Sequence, residues 1–227
     1  MVNWKYTGGK KGVVFDNQKD YVKSQDIITQ SFDDQRFIVR NTELMDTLLS
    51  NSTGIKNVLD VGCRDGNTLC LWEQKGINVI GMDISPNCVK YALSKGRNVI
   101  LGDAHELSEL LDSPEQFPVN YFEKGPVKFD AITALHSLEH CYDPEKVLKE
   151  FYKCVNKGGY IAIRVPVQVS LEEQSLKKAE DGSKYPPHCA VFTLKSLCNL
   201  FSEIGFKVIY KYIAKKKTNE ITLVCQK

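Results

Sequence analysis

His136, Glu139 and His140 stand at i, i+3 and i+4, a spacing that puts their side chains on one face of a helical turn and lets them converge on a looser loop. His188, in Tyr185-Pro186-Pro187-His188-Cys189, enters from the next long connection. An imidazole titrates near neutrality, so His188, His136 and His140 are candidates to take a proton from an acceptor group. His136, Glu139, His140 and His188 also offer ligands for a divalent cation, which would lower the pKa of an acceptor hydroxyl. The plainer reading of the Glu139-His140 pair is a hydrogen-bonded turn ahead of the helix start at Asp143-Pro144, and a metal is not favoured. His105 follows Asp103 and is expected near a ligand edge or solvent.

A second constellation lies upstream. Val58-Leu59-Asp60-Val61-Gly62-Cys63-Arg64-Asp65-Gly66 joins an apolar, β-branched run to a glycine turn, and Gly81-Met82-Asp83-Ile84-Ser85 ends the next run on a carboxylate. Such a βαβ unit lets the backbone approach a nucleotide, with Asp83 placed to grip a ribose diol. The spacing is Asp60-x-Gly62-x-x-x-Gly66 rather than Gly-x-Gly-x-x-Gly. A carboxylate just before the turn would repel the pyrophosphate of a nicotinamide dinucleotide and suits a cationic ligand such as S-adenosylmethionine.

The elements that must position these groups alternate. Strands are expected near 57–61, 78–83, 98–101, 129–134 and 159–165, with helices near 67–75, 86–95 and 144–155, which implies a doubly wound parallel sheet. A helix near 193–204 leads into two strands, 207–214 and 220–226, that a short connection makes antiparallel. The first part, 1–54, is expected to be an arm and two capping helices, 17–30 and 34–50, ahead of a ligand-binding domain over 55–227. Tyr6, Tyr21, Arg36 and Arg40 are candidates to line the cleft from there. Two long connections, 112–128 and 166–187, open at the carboxyl ends of strands, where open α/β sheets bind ligands.

On these residues the chain resembles the class I S-adenosylmethionine-dependent methyltransferases, in their broad small-molecule branch. Asp60 to Gly66 is similar to the family's motif I, Asp83 to its ribose-binding acid, and Gly102-Asp103-Ala104 to its adenine-edge site. His136-Ser137-Leu138-Glu139-His140-Cys141-Tyr142-Asp143-Pro144 is similar to the element after strand four, and Val155 to Tyr160 to the turn into strand five. The resemblance implies a seven-stranded, mostly parallel sheet of order 3-2-1-4-5-7-6 with its last strand antiparallel. It implies cofactor contacts at Asp60, Gly62, Cys63, Gly66, Asp83, Ile84, Asp103, Ala104 and Leu135. The histidine element also resembles the Glu-x-x-Glu-His element of ubiquinone-type O-methyltransferases and of small-RNA 2′-O-methyltransferases. Here His136 replaces the first glutamate, which argues against Mg²⁺ and for a softer ion if any is bound. Arg64 stands where the family has glycine, and in a left-handed turn it would cost about 1 kcal/mol or more. Its side chain would face solvent or reach the cofactor carboxylate.

Composition narrows the function further. A chain of 227 residues, 42% hydrophobic, fits one α/β core with additions. Net charge is +2, which supplies no global field for nucleic acid, although lysines at 207, 211, 215, 216 and 217 leave RNA as an alternative acceptor. No Asp/Asn-Pro-Pro-aromatic motif follows the fourth strand, so DNA is not expected. The 8 cysteines form no C-x-x-C pair and no long apolar run is present, so reduced thiols, a cytoplasmic setting and no membrane partner are expected. The expected function is methyl transfer to a small-molecule hydroxyl, amine or carbon. The alternatives are RNA methylation, including a metal-assisted 2′-O type, and a non-catalytic S-adenosylmethionine-binding protein.

Overall fold

A computed structural model describes residues 35–112, 128–167, 188–214 and 219–227. The expected arm and first helix, both long connections apart from Asp112, Lys128, Pro166 and Val167 at their ends, and Lys215, Lys216 and Lys217 lie outside the described residues, as do Tyr6, Tyr21 and the Arg36 side chain.

Seven strands, β1 (Asn57–Val61), β2 (Asn78–Asp83), β3 (Val99–Leu101), β4 (Phe129–Leu135), β5 (Val155–Pro166), β6 (Lys207–Ala214) and β7 (Glu220–Gln226), form one sheet. Its order is β3-β2-β1-β4-β5-β7-β6, as expected. β1 to β5 run parallel, and β7 is antiparallel to both β5 and β6. The central strands are continuous apolar runs because helices cover both faces. Leu59, Ile80, Ile132 and Ile161 face one core with Leu148, Phe151 and Phe201. Val58, Val79, Ala131 and Ala162 face the other with Trp72, Leu44 and Leu48.

Helix α1 (Gln35–Ser50) therefore belongs to the second core, with Leu44, Met45 and Leu48 buried. Helix α2 (Leu69–Glu73) is shorter than the 67–75 expected, because a glycine-stabilised turn still occupies Gly66 to Thr68. Helix α3 (Pro86–Ser94) starts where Ser85 accepts from Cys88 N–H at 3.2 Å with Pro86 behind it. A 3₁₀ turn, Ala104–Glu106, and helix α4 (Leu107–Leu111) follow β3, and both were too short to show a period in the sequence. Helix α5 (Pro144–Cys154) begins at Asp143, whose carboxylate accepts from Lys146 N–H at 2.9 Å. Helix α6 (Leu194–Ile204) is closed at its start by Thr193 and Ser196 and stopped by Gly205 at φ +111°.

β5 begins directly after α5, earlier than position 159, because Val155 already pairs with Phe129 before the register shifts. The segment Val155 to Tyr160 is thus strand rather than turn. Gly159 is required there, since a Cβ would lie 2.8 Å from the Asp130 carbonyl oxygen.

Candidate active site

The site forms at the carboxyl ends of β1 to β5. Gly62 and Cys63 both donate their N–H to the Met82 carbonyl, at 2.7 and 3.1 Å, which folds the glycine turn over the end of β2. Gly62 lies at φ +77°, and a Cβ on it would sit 2.1 Å from Ser137 Oγ. Ser137 Oγ in turn donates to the Val61 carbonyl at 2.8 Å, locking the segment after β4 against the turn. Gly66 is also left-handed, at φ +67°. Cys63 is buried, and its sulfur explains a further glycine: a Cβ on Gly81 would lie 2.5 Å from it.

Asp83 ends β2 with its carboxylate aimed by two backbone amides. Arg64 N–H donates to Oδ2 at 2.7 Å and Ser85 N–H to Oδ1 at 2.9 Å. Ile84 is half-buried beside it, and Leu135 is buried at the end of β4. Arg64 does adopt the left-handed conformation, at φ +53°. Its guanidinium lies over the Phe37 ring of α1, 4.7 Å from the centroid, a contact the sequence did not announce. A cation over an aromatic face contributes about 0.5–1 kcal/mol at an exposed site, enough to offset most of the backbone cost.

Asp60 is buried opposite Thr133, which donates to it at 2.7 Å. Burial pushes its carboxyl up to about 6, and neighbouring Asp83 adds to that, while the Thr133 hydrogen bond opposes it. A carboxylate so placed favours a cationic ligand. Asp103 precedes the 3₁₀ turn with a nearly buried carboxylate, and Ala104 is buried next to it.

The histidine cluster stands on the other side of Ser137. His136 directly follows β4 at φ +50°, a conformation a non-glycine residue holds only when its surroundings dictate it. Its Nδ1 lies 3.1 Å from Glu139 Oε1 and its Nε2 lies 2.9 Å from Glu220 Oε1 on β7. Burial alone would depress its pKa, but hydrogen bonds to Glu139 and Glu220 outweigh burial and raise it to about 9. Burial likewise works against ionised Glu139, and the His136 hydrogen bond and charge nonetheless bring that carboxyl down to about 2. His136 is therefore an imidazolium between two carboxylates. The chain then forms a 3₁₀ turn, Leu138–His140, so Glu139 points inward and is fully buried. Its carbonyl accepts from Cys189 and Ala190 N–H at 2.7 and 2.9 Å, which brings His188 alongside. The His140 and His188 rings meet edge to face, 4.7 Å between centroids.

Sequence reasoning named Arg40 but missed Glu220, Arg164 and Glu43. Arg40 pairs with Glu220 at 3.2 Å, and Arg164 on β5 pairs with Glu43 at 2.8 Å, so charged pairs pin α1 over the cluster. Glu220 opens β7. Only the adjacency of β7 to β5 brings it to His136, and no local signal announces that.

The His136 pairing has a pH signature. Its folded pKa, about 9, exceeds the ordinary 6.5, so its contribution is complete below 6.5 and disappears as pH rises through 9. Glu139, at about 2 rather than 4.5, contributes above 4.5 and loses that as pH falls towards 2. The melting temperature should therefore be highest between the two limbs, with an alkaline decline that His136→Gln removes. A wild-type melting temperature flat from pH 6.5 to 9 would contradict the ion pair.

Known proteins similar to this chain include methyltransferases. The chain matches the methyltransferase-domain family over residues 32–211. It is 32% identical over 116 residues to a ubiquinone biosynthesis O-methyltransferase of Aliivibrio fischeri, covering 50% of this chain and 46% of that one. It is 28% identical over 170 residues to a tRNA U34 carboxymethyltransferase of Wolinella succinogenes, covering 73% and 57%. The chain thus spans about half the length of the curated relatives it matches. A solved S-adenosylmethionine-dependent methyltransferase from Archaeoglobus fulgidus shares the fold, with TM-score 0.58 at 20% identity over 83% of this chain and 93% of that one. No described helix is long and apolar enough to cross a membrane. With its family matched over most of its length and its sheet in the same order, the chain belongs to the class I S-adenosylmethionine-dependent methyltransferases.

Proposed function

We propose that this protein transfers a methyl group to a small-molecule acceptor at a hydroxyl, amine or carbon. One observation carries the reading: Ser137 ties the glycine turn directly to a polar cluster in which ligand atoms of Glu139, His140 and His188 converge within 4.8 Å. The donor side fits S-adenosylmethionine. Gly62 lets the turn close against Ser137, Asp83 holds a fixed carboxylate for the ribose diol, and buried Asp60 suits the cationic amino acid part. Gly66, Cys63, Ile84, Leu135, Asp103 and Ala104 complete the proposed cofactor wall. The bound cofactor supplies an activated methyl on a sulfonium, and the protein aligns the acceptor with it.

The proton-taking role falls to His188 or His140. His136 keeps its proton at neutral pH between Glu139 and Glu220, so its part is to hold the cluster and its charge in place.

A second reading rests on one atom. Glu139 Oε2 is buried without a hydrogen-bond partner, and ligand atoms of Glu139, His140 and His188 lie within 4.8 Å of one another. This donor set fits a borderline divalent cation, which would lower the pKa of an acceptor hydroxyl, as on an RNA 3′ end. The similarity to a tRNA-modifying enzyme over 73% of the chain favours an RNA acceptor in this reading, and the net charge of +2 weighs against it.

Calorimetric titration with S-adenosylmethionine and S-adenosylhomocysteine, each with and without Zn²⁺ or Mg²⁺, tests both. Micromolar binding without metal is expected, with His188→Ala binding the cofactor as the wild type does. Binding that requires metal would favour the second reading. Failure of both ligands to bind would leave a non-catalytic scaffold.

A further inference from the structure

His105 is not part of the histidine cluster, yet it is completely buried and both of its ring nitrogens are committed. Nε2 lies 3.2 Å from the Asp143 backbone nitrogen, and an amide N–H can only donate. Nε2 must therefore accept, which places the ring proton on Nδ1. Nδ1–H then donates to Asp103 Oδ1 at 2.5 Å, and His105 N–H donates to the same oxygen at 3.0 Å. The Tyr142 ring stacks on the imidazole at 3.8 Å and 12°, closing it off. Two donors on one oxygen fix the plane of the Asp103 carboxylate, and that plane is referred to the first turn of α5 through Asp143.

We propose that His105 is a positioning residue for adenine selection: it holds Asp103 so that the carboxylate meets the exocyclic 6-amino group of the cofactor's adenine. The inference rests on the reading of Asp103 as the adenine-edge acceptor. A purine without a 6-amino donor would offer this nearly buried carboxylate no charge-assisted hydrogen bond in return for its desolvation, a larger loss than that of a solvent-exposed contact. The selectivity therefore depends on the carboxylate's orientation as well as its presence.

The test compares S-adenosylhomocysteine with its 6-deamino analogue, in which hydrogen replaces the amino group. The wild type should prefer the former by at least about tenfold. His105→Asn places an amide N–H near the Nδ1 position and should keep that ratio. His105→Gln places its amide near the Nε2 position, satisfying Asp143 but not Asp103, and should bring the two ligands within about twofold of each other. A merely structural role would lower both affinities together and leave the ratio unchanged, which would overturn the proposal. Equal binding by the wild type would instead mean that Asp103 does not read adenine, and the inference would fall with that reading. If His105→Gln does not fold, nitrogen NMR of the wild-type imidazole decides: a proton on Nδ1 with bare Nε2 is expected, and the opposite tautomer refutes the arrangement.

Discussion

Asp83→Ala should weaken S-adenosylmethionine binding by about 1.5–3 kcal/mol, roughly one to two decades in affinity, as for the loss of charge-assisted hydrogen bonds to a diol. The same carboxylate also accepts from Arg64 and Ser85 N–H, so its removal strands two amides and releases a left-handed arginine. A drop of about 1–2 kcal/mol in unfolding free energy should accompany the binding loss. Asp83→Asn separates the two effects, because the amide keeps one acceptor oxygen for the backbone and loses the charge. Calorimetry on both variants, corrected for folded fraction by thermal melts, gives the answer. Full affinity in Asp83→Ala would remove the ribose assignment.

Gly62→Ala should cost about 2–4 kcal/mol of stability, the sum of a left-handed alanine and an overpacked contact. The position is at φ +77°, and the added methyl would lie 2.1 Å from Ser137 Oγ and 2.7 Å from its Cβ. Ser137 cannot retreat without giving up its hydrogen bond to Val61, which ties the cluster to the turn. Ser137→Gly placed in the Gly62→Ala background should restore the packing share of the loss and leave the backbone share. Urea denaturation of the single and double variants measures the coupling. A Gly62→Ala protein within 0.5 kcal/mol of wild type, about the usual scatter for neutral surface changes, would mean the turn relaxes freely.

The framework was legible in the chain itself. Buried parallel strands such as Val58-Leu59 and Ile132 read as apolar β-branched runs, and glycines and Pro86 or Pro144 mark where runs stop and helices start. These are local energies, decided within a few residues, so β1, β2, β6 and β7 fall where the pattern puts them. Asp60 and Asp83 were legible for the same reason, since a carboxylate ending an apolar run lies at a strand's carboxyl end. The charge state of the histidine cluster was not legible. Whether His136 is a base or a fixed cation depends on Glu220, 84 positions away, and β7 brings that residue beside it only by inserting antiparallel next to β5. His188 reaches His140 because Cys189 and Ala190 bond to the Glu139 carbonyl, and Arg64 finds Phe37 because α1 lies over the turn. Strand and turn follow from local backbone preference and burial. Protonation and partnership follow from which distant side chains the sheet order brings within about 3 Å, the range of a hydrogen bond, and that is a property of the tertiary structure alone.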